Sequence, residues 1–249
     1  MSGRVLVTGG AKGVGAAIVR ALAASGFDVD FTYRSSGDAA ATLIDELVEA
    51  NPERNIAAHP VDLADTASLE AFCEAIESES FYGFVHNAGQ PYDALAAMMA
   101  QDKAEAVMQV NFWSFARLTK AVVRGMVRAR TGRVVAIGSA AALQGNPGNA
   151  AYAASKGALL SYCRTLTVET AKRGITVNYL APGFIDTDML APYAAYRAQM
   201  EKQIPAGRFA KPEEIAGLTA FLMSPVAAYI TGAVLPVDGG LTATIGMQR

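Results

Sequence analysis

Strand-length apolar runs alternate with helix-length segments from one end of this 249-residue chain to the other. The runs fall at 4–8, 29–33, 56–61, 81–87, 133–138, 175–180 and 233–237. Between them, the segments 14–24, 39–50, 66–77, 103–110, 111–130, 150–172 and 212–223 read as helices, the third capped by Thr66. In the fifth, Phe112, Phe115, Leu118, Val122 and Met126 recur at helical spacing and should point inward. Continuous apolar strands separated by helices require a parallel sheet covered on both faces. Right-handed crossovers then wind that sheet both ways. The expected fold is α/β: a doubly wound (Rossmann) three-layer αβα arrangement with a seven-stranded parallel sheet. No linker or repeat interrupts it, so one domain is expected over 1–249.

Composition narrows the function. Hydrophobic residues at 52 % against 18 % charged supply a large core. A net charge of −2 argues against a nucleic-acid partner. No apolar run approaches the ~20 residues of a membrane span, and no signal-like segment precedes the first strand. Cys73 and Cys163 lie on separate expected helices and read as reduced, buried thiols. The two histidines, His59 and His86, are too scattered for a metal site. These features describe a cytoplasmic protein without a metal.

The turn after the first strand contains Thr8, Gly9, Gly10, Ala11, Lys12, Gly13, Val14 and Gly15. Its glycines at 9, 13 and 15 permit a tight turn and let backbone amides approach a pyrophosphate at a helix N-terminus. A plain strand–helix connector is the simpler reading, but the position in a first βα turn favours the nucleotide. At the end of the second strand an NAD site would place a carboxylate. The chain instead has Tyr33-Arg-Ser-Ser36, and Asp30 lies inside the strand, expected to face elsewhere. Arg34, with Lys12, suits a 2′-phosphate, which points to NADP(H).

Tyr152 and Lys156 are spaced i and i+4 on an expected helix, so they share a face. A nearby cation favours the phenolate and draws a phenol, normally near pKa 10, toward working pH. Ser139, at a neighbouring strand end, offers a hydroxyl to a substrate oxygen. The three read as proton-transfer machinery for a carbonyl or an alcohol.

Together with these residues, Asp62-Leu63, Asn87-Ala-Gly89, Asn111, Pro182-Gly183, Thr187 and Asp238-Gly-Gly240 stand in the order and spacing of a known family. Over essentially its whole length the chain resembles the short-chain dehydrogenase/reductases. Ile175-Thr-Val-Asn178, the stretch from Ala181 to Met189, Ile204-Pro-Ala-Gly-Arg208 and Ala228-Tyr-Ile-Thr-Gly232 make it most like the 3-oxoacyl-[acyl-carrier-protein] reductases.

The resemblance implies NADPH-dependent reduction of a 3-oxoacyl thioester in fatty-acid or polyketide-like lipid synthesis. Tyr152 would protonate the ketone, Ser139 would hold its oxygen, and Lys156 would bind the nicotinamide ribose and lower the tyrosine pKa. Asn111 would anchor a water joining Lys156 to solvent. Asp62 and Leu63 would contact the adenine, Asn87 the adenosine ribose, and Ile185 the carboxamide, with Gly89, Pro182, Gly183 and Thr187 completing the cofactor site. Arg130 and Arg173, beside the active-site mouth, would dock an acidic acyl carrier protein, although both also suit solvated helix ends. A lid around 186–210 and a homotetramer are further implications.

One departure stands out: the family's Asn-Asn-Ala-Gly is His86-Asn-Ala-Gly89 here. The resemblance sets His86 by the adenosine half of the cofactor, with local repacking as its only consequence. Two other readings stay open. One is a dehydrogenase of another small ketone or alcohol, such as a sugar, steroid or secondary metabolite. The other is a non-catalytic NADP-binding sensor.

Overall fold

The computed structural model describes residues 3–244; the outermost residues of the expected 1–249 domain lie outside that range. Seven strands form one sheet in the order β3-β2-β1-β4-β5-β6-β7. They are β1 (Arg4–Val7), β2 (Asp28–Tyr33), β3 (Ile56–Pro60), β4 (Gly83–His86), β5 (Gly132–Ile137), β6 (Ile175–Pro182) and β7 (Val234–Val237). Every neighbouring pair is parallel. The chain leaves β1 in one direction for β2 and β3, and returns to its other side at β4. That reversal is where open α/β sheets place their ligands, beyond the carboxyl ends of the strands.

The helices are α1 (Gly13–Ala24), α2 (Gly37–Ala50), α3 (Thr66–Ile76), α4 (Gln101–Met108), α5 (Ser114–Ala129), α6 (Ala150–Thr170), α7 (Arg197–Glu201) and α8 (Pro212–Met223). Successive strand residues face opposite sides of the sheet, so two cores form. Val5, Val7, Val29, Phe31 and Val85 pack under α1, α2 and α8. Leu6, Phe84, Val134, Ala136 and Tyr179 pack under α3, α5 and α6.

Three local expectations change. The helix expected over 111–130 starts instead with a π-helical turn, Gln109–Trp113, and only then continues as α5. The cap of α3 is Asp65, whose carboxylate accepts from the Ala67 amide at 2.9 Å, so Thr66 is the first helical residue. Cys163 is buried, but Cys73 is only partly so. The segment Asp188–Tyr196 is a run of 3-10 turns leading into α7. No described helix is long and apolar enough to cross a membrane.

Candidate active site

The glycine turn is built by what side chains would obstruct. Gly9 has φ +66°, a left-handed conformation that other residues rarely adopt. A Cβ on Gly15 would stand 2.0 Å from the Gly9 carbonyl oxygen, so this crossing admits only glycine. α1 starts at Gly13, so the crossing falls in its first turn, and its cap, Lys12, makes no side-chain bond to that turn. The first helical bond is Ala16 N–H to the Lys12 carbonyl, which leaves the amides at 13, 14 and 15 without intrahelical acceptors. Thr187, from the loop after β6, brings its methyl within 3.5 Å of where a Gly13 Cβ would stand. Lys12 and Arg34 are exposed and enter no ion pair among the described residues. Unfilled amides, a cradle that a Cβ would block, and two uncommitted cations fit a dinucleotide with a 2′-phosphate.

Other residues expected at the cofactor have different contacts. Thr8 is fully buried; its Oγ1 accepts from the Asn87 and Ala88 amides at 3.1 and 3.0 Å. Asn87 spends its Nδ2 on the carbonyls of Thr8 and Gly9, at 3.1 and 3.0 Å. These two side chains lock the turn to the end of β4. The Asp62 carboxylate accepts from the Ala64 amide, and Leu63 is buried while its carbonyl accepts from Gln109. Gly183 packs against Asp238, Pro182 ends β6, and Ile185 bridges to Ala210.

β5 delivers Ser139 to the same edge. A Cβ on Gly138 would fall 1.8 Å from the Tyr179 ring, and this close approach lets Tyr179 reach the turn. The Ser139 amide donates to the Tyr179 phenol oxygen at 3.0 Å, and that phenol donates to the Lys156 carbonyl at 3.2 Å. Tyr179 thus ties strand end to helix, a role hidden in sequence because a tyrosine in an apolar run reads as core. The Ser139 Oγ accepts from the Ala141 amide at 3.1 Å, which leaves its proton available.

Tyr152 and Lys156 stand on successive turns of α6, with the Lys156 Nζ 5.8 Å from the Tyr152 ring centroid. Lys156 is 2 % exposed and donates to the Ile137 carbonyl at 2.9 Å. Burial depresses its pKa to about 8. The expectation for Tyr152 is overturned in direction. Burial, with a smaller push from Asp93, raises the phenol above its ordinary value, and the neighbouring Ser139 hydroxyl only partly offsets this. The ammonium is drawn to the Ile137 carbonyl and does not offset that desolvation.

Asn111 lies inside the π-helical turn, a distortion that recurs at functional sites. Its Oδ1 accepts from the Gln90 amide at 2.8 Å. Its Nδ2 donates to the Gln90 carbonyl at 3.1 Å and to Ser155 Oγ at 2.9 Å. Lys156 and Asn111 meet across Gly89, where a Cβ would lie 3.2 Å from Nζ and 3.4 Å from Oδ1. At the rim, Asp93 accepts from Asn149 at 2.7 Å and from the Tyr193 hydroxyl.

Two expected residues are not brought here. Arg130 caps the C-terminus of α5 with φ +54°, immediately before β5. Arg173 ends the 3-10 turn before β6. Arg130 donates to the Lys172 carbonyl at 3.4 Å, so the two arginines neighbour one another. They sit at the amino ends of β5 and β6, while Ser139 lies beyond the carboxyl end of β5, about 20 Å away at ~3.3 Å per residue. Within one chain they are not beside the active-site mouth.

A family model described as enoyl-(acyl carrier protein) reductase matches residues 9–242. The 3-oxoacyl-[acyl-carrier-protein] reductase FabG of Escherichia coli (strain K12) is 42 % identical over 241 residues, 95 % of this chain and 96 % of that protein. The reductase of the same name from Vibrio cholerae is 41 % identical over 246 residues, 97 % and 98 % of the two chains. Among solved structures, a short-chain dehydrogenase/reductase from Serratia marcescens is similar with a TM-score of 0.89 at 34 % identity, covering 96 % of this chain and 98 % of that one. Matches of this extent, to a family model over 9–242 and to relatives 41 and 42 % identical over nearly the whole chain, show that the chain belongs to the short-chain dehydrogenase/reductase family.

Proposed function

We propose that this chain is an NADPH-dependent oxidoreductase that reduces the ketone of a 3-oxoacyl thioester, carried on an acyl carrier protein, to the 3-hydroxyacyl thioester. The carrying observation is geometric: Ser139, just past the end of β5, and the Tyr152–Lys156 pair on α6 meet at the sheet's carboxyl edge, the same edge that carries the amide-lined turn between β1 and α1. The full-length likeness to 3-oxoacyl reductases supports the substrate class. Fatty-acid or polyketide-like synthesis, in the cytoplasm, is the setting that goes with it.

When bound at the glycine turn, NADPH supplies a hydride to the carbonyl carbon. The amides at 13–15 and the cations of Lys12 and Arg34 would hold its phosphates. The Ser139 hydroxyl donates to the ketone oxygen and fixes its position. A phenol is protonated at neutral pH, so Tyr152 holds a proton to give. Burial, which raises its pKa, is a cost that stabilisation of the phenolate must offset during transfer. Tyr152 gives its proton to that oxygen as charge develops there. Lys156, whose ammonium lies 5.8 Å from the Tyr152 ring centroid and is held by the Ile137 carbonyl, is the nearby cation that would stabilise the phenolate once a substrate oxygen takes the proton. Asn111 and Ser155 tie α6 to the π-helical turn, and so keep Lys156 and Tyr152 at fixed depth. Residues 186–210, including Tyr193 latched to Asp93, read as the lid over this pocket.

The decisive assay follows NADPH oxidation with acetoacetyl thioester and, in parallel, with crotonyl thioester. We expect turnover of the ketone alone, with NADPH preferred over NADH. Turnover of the alkene alone would replace this reading with the carbon–carbon double-bond reduction that the family model's description names.

Carrier docking at Arg130 and Arg173 is coupled to self-association, because only a second subunit could turn that end of the sheet toward an active-site mouth. Trp113 and Val168, 49 % and 81 % exposed, leave apolar surface on the α5–α6 side, and Val226 and Tyr229 leave more near the C-terminus. Both patches support a homotetramer. Replacing both arginines by alanine should raise KM for the carrier-bound ketone and leave the free thioester unaffected. Equal effects on both substrates would remove the docking role.

A further inference from the structure

His86 ends β4 and is completely buried. Its ring lies between the nucleotide turn and the π-helical turn, and among the described residues no other side chain hydrogen-bonds to both. Nδ1 is 3.1 Å from Thr8 Oγ1, in the nucleotide turn. Nε2 is 3.3 Å from the main-chain carbonyl of Asn111, in the catalytic π-helical turn. The chemistry fixes the direction of every bond. A carbonyl can only accept, so Nε2 carries the hydrogen and Nδ1 is an acceptor. Thr8 must then donate its proton to Nδ1, which frees its oxygen to accept the two amides of Asn87 and Ala88. The neutral ring suits the site, because a second buried cation would repel Lys156. Desolvation, with Lys156 adding to it, holds the imidazole down to about 3.

We propose that His86 is a positioning residue that couples the nucleotide turn to the catalytic turn, by bridging Thr8 to the Asn111 carbonyl with its two ring nitrogens. This goes beyond the local repacking expected for a histidine at this position, because both ring nitrogens make specific bonds. Phe84 and Phe115 flank the ring at centroid distances of 6.2 and 5.2 Å, so its tilt is set by packing and only its reach by the hydrogen bonds. It is not a proton relay: both nitrogens are committed and neither meets solvent. Its effect passes through its partners. Thr8 holds Asn87 and the turn whose amides face the nucleotide, while Asn111 holds Ser155 and, across Gly89, borders Lys156. A shift of either end would alter the spacing between nicotinamide site and proton donor.

The inference rests on the reductase reading, so the test includes a readout without substrate. NADPH affinity is measured by fluorescence titration, kcat and KM with acetoacetyl thioester, and folding by thermal unfolding. His86→Phe keeps a flat ring but removes both bonds. It should lower kcat about tenfold, weaken NADPH binding several-fold and leave the thioester KM within about twofold, in line with the loss of one or two net hydrogen bonds. His86→Gln, which can donate and accept across a similar reach, should restore most of both. His86→Asn, too short to span both partners, should stay impaired and covers the case in which His86→Phe does not fold. Thr8→Val combined with His86→Phe should cost less NADPH affinity than the two effects summed. Wild-type kcat and NADPH affinity in both His86→Phe and His86→Asn would overturn the proposal, as would a loss that His86→Gln fails to restore. If the wild-type protein ignores acetoacetyl thioester, the substrate reading fails while the NADPH titrations still decide the role of His86.

Discussion

The two faces of the sheet solve different problems with the same strands. Under α1, α2 and α8, Val5, Val7, Ile18, Leu22, Val29 and Phe31 fill space; Ala11, Val14 and Ile185 of the nucleotide site touch this layer only with apolar side chains, and none of the proton-transfer residues lies in it. Under α3, α5 and α6 the packing is as dense, but His86, Asn111, Ser155 and Lys156 are buried in the same layer, all at 2 % exposure or less. The alternation on β4 shows the division: Val85 faces one layer, Phe84 the other, and His86 ends the strand against the Phe84 and Phe115 rings. A layer of aliphatic side chains needs only volume and shape. The opposite layer must also find partners for its buried donors and acceptors; Thr119 Oγ1 on α5 has none among the described residues, while bonds fix Lys156, Asn111 and His86 in position. Substitutions in the first layer should therefore cost stability, and those in the second should cost chemistry.

The largest expected break in that comparison is Tyr152→Phe. It removes the acid and leaves the ring, so kcat should fall by about 10²–10⁴, the range for general acid–base catalysis. The thermal midpoint should not move by more than about a degree or two. A variant that kept most of its rate would place the proton donor elsewhere.

The sequence made the first layer and the catalytic pair legible for one reason: both are periodic. Apolar runs mark strands, and a tyrosine four residues from a lysine marks one helix face. What stayed hidden depends on contacts between distant segments. Nothing in the spacing of Tyr179 shows that its phenol reaches Ser139, and nothing around His86 shows its link to Asn111. The π-helical turn escaped because its residues also fit an α-helix. The Tyr152 shift was misread because a local pair argument left out burial, the largest influence on that phenol. The position of Arg130 and Arg173 followed from a motif match that carries no information on which end of the strand they occupy.

The next effect belongs to the apolar layer. Leu22 is fully buried on α1, and Leu22→Ala should cost about 3 kcal/mol, within the ~2–5 kcal/mol range for truncating a core leucine. Denaturant unfolding measures that loss. The kcat per folded molecule should stay at the wild-type value, because no hydrogen bond of the site passes through α1's core side. A comparable drop in kcat would show that the two layers are mechanically coupled and would blur the division drawn above.

The smallest effect is a pH dependence, and it pits the two consequences of one buried lysine against each other. Lys156 has a folded pKa of about 8, below the ordinary 10.5, because burial penalises its charge. Between those values the unfolded chain binds more protons than the folded one at this position. Stability therefore rises with pH across that window through this group. Below about 8 both states carry the charge, and the full cost of burying it is present. Reduction should move the other way. Burial raises the Tyr152 pKa, so its proton is retained at pH 8 and 9, but the cation that would stabilise the phenolate left by proton transfer is lost above about 8. The rate should be level below that point and fall as pH climbs past it, by up to about tenfold per unit. Lys156→Gln should remove both slopes together. A rate that held level through pH 9 while the stability slope remained would mean that the charge on Lys156 is a cost of burial and no part of proton transfer.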